Sequence, residues 1–227
     1  MIRAVTFDAG GTLIHWFTHP SRQFGELCRL AGIGLSAEDA RRASEACVRF
    51  RSSNPPRPDR PVEDAWWLEH DEVGLRAAGL SEDLPVLAQR IQAVAHNLRV
   101  GWVLDPDIPA VLEELAARGL VLGVVSNWDG TLRRRLEALG VARYFRYIAD
   151  SGELGVSKPD PEILRVACRR LGVALADCLH VGDRPDTDGG VAAAAGASAL
   201  IYDPLGALEV DLPRVTRLRD VVTRLEA

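Results

Sequence analysis

Four polar side chains with different chemistries stand at or near the ends of apolar segments in this sequence. Asp8 follows the apolar run "IRAVTF", Ser126 ends "LVLGVVS", and Asp183 follows "DCLHVG". Lys158, the only lysine of the chain, lies in the loop-like segment "GVSKPDP". Together they offer a carboxylate nucleophile, a hydroxyl, a cation and an acidic cluster. If the fold brings them together, nucleophilic chemistry at an electrophilic centre is within their reach.

The apolar segments predict the elements that would position these groups. Short, nearly continuous apolar runs predict buried parallel strands, at residues 2–8, 120–127, 145–150, 177–183 and 198–203. Helical patterns separate them, and this alternation is typical of a doubly wound, Rossmann-like α/β sheet. Such sheets bind ligands at the carboxyl ends of their strands. Three of the four polar residues fall at those ends, and the loop of Lys158 can reach the same edge, so we expect all four to converge.

Residues 16 to about 100 do not follow this alternation. They carry no strand signal, and helical patterns occur near residues 21–31, 36–51, 62–78 and 84–99. The proline-rich segment at 52–61 is incompatible with a helix and predicts a loop. We therefore expect an all-α, four-helix cap over residues 16–103, inserted after the first strand. The α/β core domain would comprise residues 1–15 and 104–227.

The composition limits the classes of function. The chain has 227 residues, of which 47% are hydrophobic, enough for a packed core. A net charge of -5 and the lack of a basic stripe argue against a nucleic-acid partner. No apolar run is long enough for a membrane span, and the sequence opens with a strand pattern that lacks signal-peptide features, so we expect a cytoplasmic protein without a membrane partner. The four cysteines form no C-x-x-C pair and are interpreted as buried apolar side chains.

Four segments resemble, in the right order, motifs one to four of the haloacid dehalogenase-like (HAD) hydrolases. They are "DAGGTL", "VVSN", "SKPDP" and "HVGDRPDTD". The helical insertion after the first motif resembles the C1 cap of that superfamily. The segments "AWWL", "SNWD" and "HVGD" are similar to the branch that includes the animal rhythmically-expressed-gene proteins. Each motif alone is weak, but four motifs in order across nearly the whole chain are specific.

The resemblance implies roles for the residues that match these motifs. Asp8 would be the nucleophile that forms an ester with the substrate, which water then hydrolyses. The Ser126 hydroxyl and the Asn127 backbone N–H would bind a transferred phosphoryl group. Lys158 would neutralise the attacking carboxylate and the phosphoryl oxygens, a role that suits a compact ammonium better than a planar guanidinium.

The resemblance also implies a Mg²⁺ site. Its direct ligands would be the carboxylates of Asp8 and Asp183 and the backbone carbonyl of Gly10. Mg²⁺ prefers such hard oxygen ligands and keeps several waters. Asp188 would stand behind these ligands without touching the metal, and Asp186 would face solvent. Clustered carboxylates raise one another's pKa unless cations neutralise them, which a lysine and a divalent ion would do here.

The turn after the nucleophile has no bulky side chain. Glycine permits close approach of the backbone to a substrate, and N–H groups of this turn, with Gly11 and Thr12 as substrate-binding residues, would hold phosphate oxygens. Position 10 is different: phosphatases of the family carry a second aspartate there, which protonates the leaving alkoxide and activates water. Gly10 lacks this general acid and base, which is typically worth ~10²–10⁴-fold in rate.

Three functions are compatible with Gly10. The first is a Mg²⁺-dependent phosphatase for a small phosphorylated molecule. Such an enzyme would be slow, would act on a substrate with a good leaving group, or would use Asp129, His15 or His19 as the acid. The second is a metal-independent 2-haloacid dehalogenase-type hydrolase, because halide leaves without a proton, although such enzymes lack the acidic pair seen here. The third is a weakly active or binding protein that uses its cleft or cap, where Trp66 and Trp67 are candidates.

Overall fold

The computed structural model describes residues 1–16, 18–54, 64–97 and 101–225. They divide into two compact units. The core unit comprises Met1–His15, Val103–Asp203 and Val210–Ala227, and the helical unit comprises Trp16–Trp102 and Pro204–Glu209. Most of the proline-rich segment predicted as a loop lies outside the described residues.

The described residues contain eight strands and two sheets. The strands are β1 (Ala4–Phe7), β2 (Ile14–Trp16), β3 (Trp102–Leu104), β4 (Val121–Ser126), β5 (Tyr147–Asp150), β6 (Cys178–Gly182), β7 (Ser198–Tyr202) and β8 (Arg214–Val215). Six of them form one sheet in the order β5-β4-β1-β6-β7-β8, and each neighbouring pair is parallel. The predicted parallel α/β sheet is therefore confirmed, and all five predicted strands belong to it.

The strand order places β1 in the interior of the large sheet. β1 lies between β4 and β6, and its last residue, Phe7, pairs with Val124 on one side and Val181 on the other. The chain builds the sheet outward from β1 to β4 and β5, then crosses to β6 on the other side. This reversal is the kind of position at which open α/β sheets form a binding crevice.

The helical unit contains α1 (Pro20–Leu30), α2 (Ala37–Ser53), α3 (Asp64–Ala77) and α4 (Leu84–Asn97), which correspond to the four predicted helical patterns. At the start of α2, the hydroxyl of Ser36 accepts the Asp39 N–H at 3.1 Å, an N-cap bond that satisfies one orphan donor. The apolar faces form one core around Leu75, Ala88 and Ile91, each fully buried. Across the described residues, no helix has the length and apolarity that crossing a membrane requires.

The described residues of the core unit contain six further α-helices that connect and cover the strands: α5 (Ile108–Ala117), α6 (Leu132–Ala138), α7 (Ser151–Leu154), α8 (Glu162–Leu171), α9 (Gly190–Ala195) and α10 (Asp220–Arg224). The buried side chains of α8 and α9 pack with those of the strands in one cluster that includes Val125, Ile163 and Val191. α8 ends at Leu171 and is capped by Gly172, whose left-handed conformation (φ 76°) suits glycine. All four cysteines are buried and free of disulfides.

Three short strands were not predicted. β2 and β3 form a separate two-stranded sheet where the chain passes between the two units, and β8 adds an edge strand to the large sheet. Strands of two or three residues carry too little alternation to detect, and pairing with a distant segment is what creates them.

Candidate active site

Three of the predicted site residues lie at or directly after the carboxyl ends of three adjacent strands of the large sheet. Asp8 follows β1, Ser126 ends β4, and Asp183 follows β6. Asp8 and Ser126 are both buried at this edge. The register of the three strands therefore brings together side chains that are far apart in sequence.

Lys158 inserts its ammonium between two of the carboxylates. Its Nζ donates to Asp8 Oδ1 and to Asp188 Oδ1, each at 2.5 Å. The lysine side chain is only 3% exposed. An ammonium removed from water to this extent is tolerated only when opposite charges surround it, since desolvation costs several kcal/mol per ion.

Burial and the charges of this cluster shift the pKa values of Asp8, Lys158 and Asp188. Burial raises the pKa of Asp8, and the nearby charge of Asp188 raises it further, against the opposing effect of Lys158. Burial alone would lower the pKa of Lys158, but the two carboxylates outweigh it and hold that pKa above its usual value. Burial likewise opposes ionisation of Asp188, yet Lys158 and His180 hold the pKa of Asp188 well below its usual range. The stable pair is thus an ammonium facing an ionised Asp188.

Asp183 completes a group of carboxylates suited to a divalent cation. One oxygen from each of Asp8, Asp183 and Asp188 lies within 4.8 Å of the others. Gly11 has a φ of +90°, and a Cβ at this position would overlap the Asp183 carboxylate, so that carboxylate packs directly on the turn. Lys158 contacts two of these carboxylates, Asp8 and Asp188, and Asp183 lies beside them. The donor set is all oxygen, which fits Mg²⁺.

Asp188 is already held by several donors. Besides the bond from Lys158, its Oδ1 lies 3.3 Å from His180 Nε2, and its Oδ2 accepts the backbone N–H of Arg184 at 2.9 Å. A Cβ on Gly182 would overlap the Asp188 side chain, so the glycine creates the space that this carboxylate occupies. Both oxygens of Asp188 therefore have partners within the protein.

His180 has a connection that the sequence did not reveal. Its position in a strand predicts a core histidine, and the side chain is indeed fully buried, with Nδ1 3.0 Å from Thr6 Oγ1. Its other nitrogen contacts Asp188, so β6 and β1 support the acidic cluster from inside the sheet. Sequence reasoning missed Thr6, Gly182 and this role of His180. The only local signal was the spacing of "HVGD" to the last aspartate.

The turn after Asp8 uses its own N–H groups. Gly11 N–H donates to the Ile14 carbonyl at 2.8 Å, and Thr12 N–H donates to the Ala9 carbonyl at 3.3 Å. The Thr12 side chain is fully buried, and its hydroxyl has no hydrogen-bond partner among the described residues. These bonds shape the turn. Direct contacts of Gly11 and Thr12 with a substrate stay a prediction.

Two of the three residues considered as substitute acids, Asp129 and His15, have other partners. Asp129 accepts the Thr131 hydroxyl at 2.5 Å and its N–H at 3.1 Å, and these bonds hold the pKa of Asp129 below its usual value. A general acid needs the opposite shift. His15 is 2% exposed and bonds to Asp105 at 2.9 Å. His19 lies in the helical unit just before α1, and its role stays a prediction.

Trp66 and Trp67 belong to an aromatic cluster within the helical unit. Their rings meet edge to face with centroids 4.8 Å apart, and Trp66 also stacks on His70 at 5.7 Å. Phe50 lies 5.4 Å from the Trp66 ring, and the Trp66 Nε1–H donates to the Asn54 carbonyl at 3.0 Å. Such mutual contacts are typical of packing between helices.

The parallel sheet and the buried lysine–carboxylate cluster at its carboxyl edge define an α/β enzyme. The chain belongs to the haloacid dehalogenase-like hydrolase family, whose pattern matches residues 2–196. It is 30% identical over 205 residues to glyceraldehyde 3-phosphate phosphatase of Methanopyrus kandleri, covering 83% of this chain and 78% of that protein. It is 25% identical over 201 residues to Rhythmically expressed gene 2 protein of Drosophila melanogaster, covering 82% and 77%. The predicted family and branch are confirmed, and the protein is a HAD-like hydrolase.

Two solved structures are similar over nearly the whole chain. A HAD phosphatase from Thermococcus onnurineus has a TM-score of 0.61 and 22% identity, covering 99% of this chain and 98% of that one, which supports the fold. A 2-haloacid dehalogenase from Pseudomonas syringae has a TM-score of 0.56 and 29% identity, with full coverage of both chains. Both kinds of enzyme are therefore built on this architecture.

Proposed function

We propose that this protein is a Mg²⁺-dependent phosphatase that acts on a small phosphorylated molecule through Asp8. The observation that carries the proposal is the 2.5 Å contact between Lys158 Nζ and Asp8 Oδ1, at an edge where two further carboxylates lie within reach of one cation. A buried carboxylate held by an ammonium is oriented for attack, and the neighbouring carboxylate oxygens offer ligands for a metal.

The residues of the core unit would perform the reaction in two steps. In the first, an Asp8 oxygen attacks phosphorus, and the bond between phosphorus and the leaving oxygen breaks to give an aspartyl phosphate. In the second, water attacks that phosphorus, inorganic phosphate leaves, and Asp8 returns to a carboxylate. The Ser126 hydroxyl and the Asn127 N–H would bind the phosphoryl oxygens, and the Lys158 ammonium would neutralise charge in both steps.

The metal would be held by Asp8, Asp183 and the Gly10 carbonyl. Asp188 has both oxygens engaged by protein donors, so its role would be to hold Lys158 rather than to bind the metal. When bound, Mg²⁺ supplies positive charge that draws the phosphate to the nucleophile and stabilises the transition state. Gly11 would keep Asp183 close to the turn, because its missing side chain leaves room for that carboxylate.

Gly10 restricts the substrates that such an enzyme would hydrolyse quickly. Without a side-chain acid at this position, the leaving oxygen departs unprotonated, which favours phosphates with a stable leaving group. The similarity to the glyceraldehyde 3-phosphate phosphatase of Methanopyrus kandleri supports a small phosphorylated metabolite as the class of substrate. We expect turnover of alkyl phosphates to be slow relative to aryl or acyl phosphates.

A second candidate is a 2-haloacid dehalogenase activity. The similarity to the Pseudomonas syringae enzyme and the glycine at position 10 favour it, since halide needs no proton to leave. The lysine-bound acidic cluster counts against it, because displacement of halide does not require a divalent cation. Release of chloride from 2-chloropropionate in the presence of EDTA would support this candidate, and a strict requirement for Mg²⁺ would contradict it.

The direct test is hydrolysis of p-nitrophenyl phosphate, which has a good leaving group. We expect activity with Mg²⁺, none with EDTA, and a loss of at least ~10³-fold in Asp8→Asn, as for removal of other nucleophiles. Asp186→Asn is the matched control, because Asp186 is an aspartate in the turn after β6 that pairs at the surface with Arg184. Survival of turnover in Asp8→Asn would show that the nucleophile is wrongly assigned. Absence of turnover across a panel of phosphates would favour a binding protein.

A further inference from the structure

The side chain of Asn127 makes two hydrogen bonds to the main chain of one distant residue. Its Nδ2 donates to the Lys158 carbonyl at 2.9 Å, and its Oδ1 accepts the Lys158 N–H at 2.7 Å. The two residues are 31 positions apart. A primary amide offers donor and acceptor side by side, so it can satisfy both polar groups of one residue.

Lys158 lies in a segment without regular secondary structure, between the end of α7 at Leu154 and the start of α8 at Glu162. Among the described residues, no other hydrogen bond to its main-chain N–H or carbonyl is seen. The two carboxylates hold the ammonium at the far end of a flexible four-carbon side chain. The side-chain amide of Asn127 therefore holds the main chain of Lys158, from which that side chain extends.

We propose that Asn127 is a positioning residue that fixes the main chain of Lys158, so that the ammonium reaches Asp8 in the geometry the reaction needs. This inference rests on the proposed function of Asp8 as nucleophile. Asn127 directly follows Ser126 at the end of β4, so one dipeptide aligns both the hydroxyl and the lysine with the nucleophile on β1. The rigid sheet thereby sets the position of a loop residue.

The test uses the fact that Lys158 is the only lysine of the chain. Protein labelled with ¹⁵N-lysine gives a single backbone amide signal, which belongs to Lys158 without further assignment. Its hydrogen exchange reports the bond to Asn127 Oδ1 directly and needs no substrate. In Asn127→Ala we expect this exchange to accelerate by at least ~10-fold. The Lys158 N–H loses its acceptor there, so it can exchange through local opening of the segment between α7 and α8.

Two other variants separate positioning from general stability. Asn127→Asp keeps an acceptor for the Lys158 N–H but loses the donor to its carbonyl, so exchange should stay slower than in Asn127→Ala. Asn54→Ala removes a similar bond, from Nδ2 to the Phe50 carbonyl at 3.1 Å in the helical unit, and should leave the Lys158 signal unchanged. For p-nitrophenyl phosphate we expect kcat to fall ~10²-fold in Asn127→Ala with little change in KM, since small misplacements near the chemistry have effects of this size.

The measurements distinguish failure of the positioning role of Asn127 from failure of the proposed phosphatase function. Unchanged exchange in Asn127→Ala would overturn the positioning role, as would unchanged kcat in an enzyme whose exchange has accelerated. If the wild-type protein hydrolyses no phosphate, the proposed function fails, while the exchange measurement still decides whether Asn127 holds Lys158. Should Asn127→Ala not fold, faster exchange in Asn127→Asp than in wild type would support the proposal, and equal exchange with equal kcat would contradict it.

Discussion

His15 and Asp105 are joined by a 2.9 Å hydrogen bond in the interior of the core unit, although they are 90 residues apart in sequence. The same Asp105 oxygen accepts the Tyr202 hydroxyl at 2.8 Å, and its other oxygen accepts the Asp107 N–H at 3.0 Å. His15 is the last residue before the chain leaves the core unit, and Asp105 follows its return. This network therefore ties together the two segments that flank the helical insertion.

The first prediction concerns the stability of this network and its dependence on pH. Burial opposes ionisation of Asp105, but the bonds from His15, Asp107 and Tyr202 outweigh it and hold the pKa below its ordinary value of 3.8. A carboxylate with a lowered pKa stabilises the folded state above that ordinary value, and the contribution is lost as the pH falls through the folded-state pKa. Asp105→Asn should reduce the free energy of unfolding by about 1–3 kcal/mol at pH 7.

Urea denaturation of wild type and Asp105→Asn at pH 7 and at pH 3 checks this prediction. The difference between the two proteins should narrow at the lower pH, because the protonated carboxyl loses its advantage over an amide. The exposed Asp186→Asn serves as the control. A difference that stays constant between the two pH values would mean that the charge of Asp105 does not contribute.

The second prediction concerns the need for an ammonium at position 158. Lys158→Arg keeps the charge but places a larger, planar group in a site only 3% exposed, so kcat for p-nitrophenyl phosphate should fall ~10²-fold or more.

Lys158→Met leaves two buried carboxylates without a counter-ion and should reduce the free energy of unfolding by about 3–5 kcal/mol. Adding Asp188→Asn to Lys158→Met should recover part of that loss, which a double-mutant cycle measures. Additive effects would show that the two side chains do not interact.

The third prediction concerns the space that Gly11 leaves for Asp183. Gly11→Ala combines an unfavourable φ of +90° with overlap of the Asp183 carboxylate, so the Mg²⁺ concentration for half-maximal activity should rise. Gly155→Ala is a matched control, since Gly155 also has a positive φ of +68° but no atom within 4 Å of an added Cβ. Both variants should lose about 1–3 kcal/mol of stability from the backbone conformation. An equal Mg²⁺ requirement in the two variants would contradict the role of Gly11.

The fourth prediction concerns the missing acid at position 10. Gly10→Asp would supply a carboxyl group two residues after the nucleophile, where it can protonate a leaving alkoxide. We expect kcat/KM for β-glycerophosphate, a poor leaving group, to rise by up to ~10²-fold, with little gain for p-nitrophenyl phosphate. Gly10→Asn is the control of equal size without an ionisable proton. The same gain in both variants, or none in Gly10→Asp, would show that proton transfer at this position does not limit the rate.

Much of the fold was predictable because its strands and helices follow from local patterns of apolar residues. The strands that carry Asp8, Ser126 and Asp183 are continuous apolar runs, which occur in parallel strands covered on both faces. The four helices of the helical unit likewise follow from periodic apolar positions. Parallel strands align their carboxyl ends, so these patterns alone predict that the three side chains share one edge.

Other features depended on which distant segments meet. The two-stranded sheet of β2 and β3 joins the two passages of the chain between the units, and neither segment has a pattern that marks it. The bonds of His180 to Thr6 and Asp188, and of Asn127 to Lys158, connect side chains through strand register and loop placement. Apart from the spacing of "HVGD" to Asp188, no pattern in the sequence indicates such pairs, because each partner alone is an ordinary strand or loop residue.

The sequence by itself therefore determined the types of the elements, their order, the family and the chemical groups at one edge of the sheet. The periodicity of apolar residues is a local property, so it can be inferred from neighbouring residues alone. Only the tertiary structure decided that a single ammonium lies between Asp8 and Asp188 with its main chain held by Asn127. Those contacts depend on distances between separate segments, and such distances exist only once the sheet has assembled.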